Sequence, residues 1–253
     1  MRRTVLTALT LLALAYLAVC ALLFVQQRSM LYHPQPRAGA AGTQLLSLPV
    51  EGGHVLVTVR PHAGPRAVLY FGGNAEDVSG SVGSMAAAFP DHALYLLHYR
   101  GYGGSAGAPS EAALFADALA LFDRIRADHA EVVAVGRSLG SGVAVHVAAR
   151  RPVARLVLVT PYDSIRALAA SQFPYAPVRW LLRDPFDSAR DAPAIAAPTL
   201  VLAAEHDDVI PRARTEALVA RFRPGLVTYR VLAGAGHDTI SDAPDYAALM
   251  RGP

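Results

Sequence analysis

Short apolar runs recur along the chain, and most are apolar at successive rather than alternate positions. They are Val55–Val59, Ala67–Phe71, Ala93–Leu97, Val132–Val135, Leu156–Val159, Leu200–Ala203 and Val227–Leu232. A strand with one wet face shows alternation, whereas a strand covered on both faces reads as a continuous apolar run. The pattern therefore predicts a mostly parallel central sheet flanked by helices, an α/β fold. Helical spacing lies between the runs: Leu114, Phe115, Ala118, Leu119, Phe122 and Ile125 follow Pro109 and Ser110, with Ser110 as the N-cap. Residues 142–150, 212–221 and 243–250 read as shorter helices. The first two runs have no helix between them and are expected to form an antiparallel hairpin leading into the parallel part. A length of 253 residues suits one such domain.

The chain begins with a segment of another kind. Val5 to Val25 is 21 residues without a charge, between Arg2 and Arg3 on one side and Arg28 on the other. At ~1.5 Å per residue this is roughly the ~30 Å of a hydrocarbon core. A cleaved signal has a shorter apolar region of about 7 to 15 residues and a small-residue cleavage site, and neither is visible. Residues 1–28 are expected to be a single-pass transmembrane anchor and 29–44 a linker, with 45–253 the main domain. Leu17-Ala18-Val19-Cys20 has Val where a lipobox needs a small residue, so Cys20 reads as a cysteine in a membrane helix. Arg2 and Arg3 with the amino terminus, against Arg28 and Arg37, favour an outward-facing main domain by the positive-inside rule. A cytoplasmic domain is the alternative.

Composition narrows the partners. At 53% apolar and 17% charged the chain is no disordered segment. Every basic residue is Arg, and the net charge of +3 falls to about +1 once Arg2 and Arg3 are set aside, so nucleic acid is not an expected partner. One Cys excludes an internal disulfide and any Cys-based zinc site. Residues 162–198 break the strand–helix rhythm. Pro174, Pro177, Pro185 and Pro193 forbid a long helix there, and the segment is expected to be a short lid or a packed surface excursion.

Two Gly-x-Ser-x-Gly patterns compete for a nucleophile. Gly136-Arg137-Ser138-Leu139-Gly140 lies between the run Val132–Val135 and a small-residue helix, the setting in which a serine is exposed on a sharp turn. Gly103-Gly104-Ser105-Ala106-Gly107 lies in a Gly-rich loop with Pro109 after it, so Ser105 reads as a loop serine. A serine hydroxyl needs an imidazole to take its proton, and the imidazole needs a carboxylate to orient it. His237 follows the last apolar run and precedes the last helix. Glu205, Asp207 and Asp208 end the run before it; Asp207 is preferred as the acid and Asp208 comes second. The order Ser138, Asp207, His237 is that of α/β hydrolases. The backbone N–H of Leu139, beside the nucleophile, and of Asn74, in Phe71-Gly72-Gly73-Asn74, are the expected oxyanion donors. No His/Cys/carboxylate cluster has metal-ligand spacing, and no cofactor is expected.

With these parts in order, the chain resembles the α/β-hydrolase superfamily, and within it the BEM46-like membrane-anchored serine hydrolases. The resemblance rests on Leu31-Tyr32-His33-Pro34 after the anchor, Tyr70-Phe71-Gly72-Gly73-Asn74-Ala75, Tyr99-Arg100-Gly101-Tyr102-Gly103-Gly104-Ser105 with Pro109-Ser110-Glu111, the turn around Ser138, Asp207 with Val209-Ile210-Pro211, and Gly236-His237. Gly72 stands where the family commonly has His, and Asp238-Thr239 where Asn-Asp is frequent. The resemblance implies hydrolysis of an ester, thioester or amide of a small-molecule or lipid acyl substrate through an acyl-enzyme. An acyltransferase with the same triad and a non-catalytic membrane-anchored binding protein remain alternatives.

Overall fold

The computed structural model describes residues 1–252. Its centre is an eight-stranded sheet. The strands are β1 (Gln44–Val50), β2 (Gly53–Arg60), β3 (Arg66–Phe71), β4 (Ala93–Leu97), β5 (Glu131–Arg137), β6 (Arg155–Val159), β7 (Thr199–His206) and β8 (Val227–Gly236), in the spatial order 1-2-4-3-5-6-7-8. β2 pairs antiparallel with both β1 and β4, and all other pairings are parallel.

The parallel strands are apolar at successive positions because both faces are covered. Leu69, Phe71, Ala134, Leu156, Leu158 and Val201 pack in one layer with α3 (Glu111–Arg126), α4 (Leu139–Ala148) and α8 (Arg212–Val219). Their neighbours Val68, Tyr70, Val133, Val135, Val157 and Val159 pack in the other layer, with α2 (Val82–Ala88) and α9 (Tyr246–Arg251). Ser110 caps α3, its Oγ accepting from the Ala113 N–H at 3.3 Å.

Two local features differ from the sequence reading. The hairpin joins β1 to β2, not Val55–Val59 to Ala67–Phe71; β3 instead sits between β4 and β5 in parallel register. β1 escaped notice because it is an edge strand in which only Leu48 is buried, and it contains Pro49, tolerated at an edge. Helix α4 begins at Leu139 rather than near Gly142, since the chain turns directly from β5 into it. As the prolines require, residues 162–198 hold short helices, α5 (Ile165–Gln172), α6 (Val178–Leu181) and α7 (Ser188–Asp191), of eight, four and four residues, and a 3-10 turn at Ala192–Ala194.

The amino-terminal helix α1 (Arg2–Leu31) is long and apolar enough to cross a membrane, and its apolar side chains are largely exposed. The residues after it are fixed to the domain. Tyr32 is buried, the His33 N–H reaches the Asn74 carbonyl (3.0 Å) and the Tyr102 hydroxyl (2.9 Å), and the Gln35 carbonyl accepts from Gly103 (2.9 Å). This packing sets the end of α1 beside the carboxyl ends of the parallel strands.

Candidate active site

β5 ends at Arg137 and α4 begins at Leu139, leaving Ser138 alone on the turn with φ 49° and ψ −119°. A non-glycine residue held there stores roughly 1–3 kcal/mol, and the surrounding backbone enforces it. A Cβ on Gly136 would overlap the Gly140 carbonyl, and one on Gly140 would overlap the Phe71 carbonyl. The two glycines let the strand, the helix and β3 approach to backbone contact around the serine.

His237 follows β8 directly. Its Nε2 lies 2.9 Å from Ser138 Oγ, and its Nδ1 lies 2.9 Å from each oxygen of Asp207. An ionised carboxylate only accepts, so Nδ1 carries the proton and Nε2 is free to accept from the serine hydroxyl. Asp207 is preset by its own turn, since Oδ1 also accepts from the N–H groups of Val209 (3.0 Å) and Ile210 (2.7 Å). The structure thus brings Ser138, His237 and Asp207 together and leaves the exposed Asp208 aside.

Asn74 and Leu139 both border the cavity beside Ser138, and neither N–H has an acceptor among the described residues. Gly73 is a different case, because its N–H donates to Glu76 Oε2 at 2.8 Å. The Asn74 side chain is anchored as well, donating to the Leu31 carbonyl at 3.1 Å. The loop stands close to the nucleophile: a Cβ on Gly73 would be 3.7 Å from that of Ser138.

Sequence reasoning missed two supporting side chains. The Glu76 carboxylate accepts from the Tyr70 hydroxyl (2.7 Å), the Ser81 hydroxyl (2.6 Å) and Arg137 Nη1 (3.4 Å), besides Gly73. Arg137 Nη2 reaches the carbonyls of His237 and Asp238 at 3.4 Å. The pair therefore ties the Asn74 loop to the His237 loop beneath the serine. Burial disfavours the Arg137 cation, but Glu76, with Tyr70, Tyr246 and Asp238, more than offsets this and raises its pKa. The available signal was an acid two residues past a proposed donor and a base at the variable position of the serine turn.

The cavity that opens on Ser138 measures about 270 Å³. Leu23, Phe24, Gln27, Met30 and Leu31 of α1 form one wall, and Ile165, Leu168, Phe173, Val178 and Leu181 of the 162–198 segment form the opposite one. Pockets with apolar walls and a few convergent polar groups are the usual form of small-molecule sites. The segment is held to α1 by Arg28, whose Nε and Nη2 meet the buried Asp184 at 2.8 and 3.2 Å. Asp184 Oδ1 also accepts from the Glu111 N–H at the start of α3 (3.0 Å).

Ser105 lies elsewhere and is occupied. Its hydroxyl donates to the His98 carbonyl and accepts from the Leu56 N–H, both at 2.8 Å.

A mostly parallel sheet with a strained serine between strand and helix, an acid after the next-to-last strand and a histidine after the last, defines the α/β-hydrolase class. Comparison with known proteins agrees. An uncharacterised protein of Mycobacterium tuberculosis (strain ATCC 25618 / H37Rv) is 36% identical over 92% of this chain and 88% of its own length. The lysophosphatidylserine lipase ABHD12 of Macaca fascicularis is 30% identical over 73% of this chain, which spans 54% of that protein. Among solved structures, an esterase of Pyrococcus furiosus superposes with a TM-score of 0.68 at 14% identity, over 86% of this chain and 94% of its own. No family model matches the chain. The chain belongs to the α/β-hydrolase superfamily.

Proposed function

We propose that this chain is a membrane-anchored serine hydrolase that cleaves a carboxylic ester or thioester. The observation that carries the reading is the continuous contact from Asp207 through His237 to Ser138, with 2.9 Å at each step. His237 Nε2 takes the Ser138 proton as Oγ attacks the acyl carbonyl. The tetrahedral oxyanion is held by the N–H groups of Asn74 and Leu139. His237 then gives the proton to the departing alcohol or thiol, and an acyl-enzyme remains on Ser138. Water, deprotonated by the same imidazole, attacks this ester and releases the acid. The esterase and lipase among the chain's relatives and neighbours are consistent with acyl-ester chemistry.

In this reading α1 is an uncleaved anchor and the domain faces away from the cytoplasm. Replacing Ser138 with Ala should lower turnover of a p-nitrophenyl acyl ester by roughly 10⁴-fold or more and abolish labelling by a fluorophosphonate, with the fold intact by circular dichroism. Replacing Ser105 with Ala should leave the labelling in place. Full activity of Ser138→Ala would end the assignment.

A further inference from the structure

The contacts between α1 and the 162–198 segment descend the helix in order. Asp184 pairs with Arg28, the Arg183 N–H donates to Gln27 Oε1 (2.7 Å), Gln27 Nε2 donates to the Leu181 carbonyl (3.1 Å), and the Tyr16 hydroxyl donates to the Tyr175 carbonyl (2.9 Å). The apolar run ends at Val25 on the side of the domain. Residue 16 lies nine positions inside it, ~13 Å along the axis at ~1.5 Å per residue, against ~15 Å for half a hydrocarbon core. An α1 that crosses a bilayer on this run therefore carries the tip of the segment down into the leaflet beside it.

The tip is built for that medium. Phe173-Pro174-Tyr175-Ala176-Pro177-Val178-Arg179-Trp180-Leu181-Leu182 has one charge, on an exposed arginine whose stem can lie along the tip while its head reaches lipid phosphates. Tyr175 is 89% exposed and Trp180 80%, conspicuous for large aromatic side chains. Backbone in lipid must satisfy its polar groups internally. The N–H groups of Ala176, Trp180 and Leu182 bond the carbonyls of Phe173, Pro177 and Val178, each at 3.0 Å, which leaves the N–H groups of Tyr175 and Arg179 without an acceptor among the described residues. Pro174 and Pro177 have no N–H, and the Tyr175 carbonyl is taken by Tyr16. The cavity beside Ser138 lies between this tip and α1, its apolar walls drawn from both.

We infer that residues 173–182 are embedded in the leaflet next to the domain, and that the cavity takes the acyl chain of a bilayer-resident lipid ester, admitted between α1 and the tip from within that leaflet. This rests on the anchor and serine-hydrolase readings above. The chemistry at Ser138 then takes place near the lipid headgroups while the chain stays in apolar surroundings throughout.

Trp180 is the sole tryptophan, so the fluorescence of the full chain in phosphatidylcholine vesicles reports on the tip directly. Spin-labelled phosphatidylcholine should quench Trp180 most strongly when the label is near the carbonyl end of the acyl chain, since neighbouring Leu181 sits at the level of Gln27. A Tyr175→Trp probe in a Trp180→Phe background should be quenched more by a label further down the chain. Quenching of both probes by aqueous iodide, with no response to labelled lipid, overturns the inference. For the route, Trp180→Asp should lose about tenfold in turnover of a long-chain ester dissolved in the vesicles and keep its turnover of a soluble short-chain p-nitrophenyl ester; equal loss on both overturns lateral admission. The underlying readings fail separately. Extraction of the chain from vesicles by alkaline carbonate removes the anchor and this inference with it. Absence of fluorophosphonate labelling at Ser138 removes the substrate assignment and leaves the quenching result standing.

Discussion

The chain contains the same five-residue pattern twice, and the two copies differ in backbone strain, in the partners of the serine hydroxyl and in what their glycines touch. At 136–140 the serine is strained, its hydroxyl meets only an imidazole, and both glycines exist because backbone passes within contact distance. At 103–107 the serine hydroxyl bridges the backbone of Leu56 and His98, and Gly103, at φ 60°, sits where a Cβ would overlap the His98 ring. A histidine is near each serine, but His98 offers Ser105 its carbonyl and turns its Nε2 to Thr58 at 2.8 Å. The glycines thus admit close backbone in the first copy and a side chain in the second, and what the serine does is decided by the element that enters and leaves the turn.

The sharpest way to break this contrast is at the acid. Asp207→Asn should cut kcat by about 10⁴-fold, because an amide no longer fixes the proton on Nδ1, while Asp208→Asn should change it less than about twofold. A reversed result would assign the acid to Asp208. The glycines come next. Gly140→Ala drives a methyl into the Phe71 carbonyl and should destabilise the fold by ~3 kcal/mol or more, read by urea denaturation. Gly140→Ala at wild-type stability would mean that the elbow is looser than its contacts say. Ser105→Ala should lower stability by about 2 kcal/mol, since it strands the half-buried Leu56 N–H and the buried His98 carbonyl. Ser138→Ala should leave stability unchanged or slightly higher, as no backbone group depends on that hydroxyl.

The contrast also explains how much the sequence disclosed. The meeting of Ser138, Asp207 and His237 was legible because each follows directly on an apolar strand, and parallel strands deliver their carboxyl ends to one edge. The position of Asn74 at the same edge was legible from the Gly pair that follows β3. The β1–β2 hairpin was not, since an edge strand with one buried side chain leaves almost no pattern. Glu76 and Arg137 looked like ordinary loop charges because their partners lie about 60 and 100 residues away along the chain. The role of α1 was hidden most completely. Its uncharged run predicted a membrane helix, but nothing local marks Leu23 or Phe24 as the wall of a cavity whose other side is 140 residues distant.

The last test concerns the imidazole of the second copy. Burial pushes His98 down to about 4, with the Asp77 carboxylate opposing and Arg37 adding to the shift. The folded value lies below the unfolded one, so folding favours the neutral ring. The resulting stability is fully present above the unfolded value of ~6.5 and declines as pH falls from there towards 4, by at most ~1.4 kcal/mol per pH unit. His98→Gln keeps a partner for Thr58 but has nothing to titrate, so its stability should fall less steeply than that of the wild type over this window. Parallel curves for the two proteins would mean that His98 takes up its proton without unfolding, and that the loop around Ser105 is wetter than its hydrogen bonds imply. A divergence confined to the range from 6.5 to 4 would mark His98 as a neutral structural ring that spaces two backbone segments, unlike the proton carrier proposed at His237.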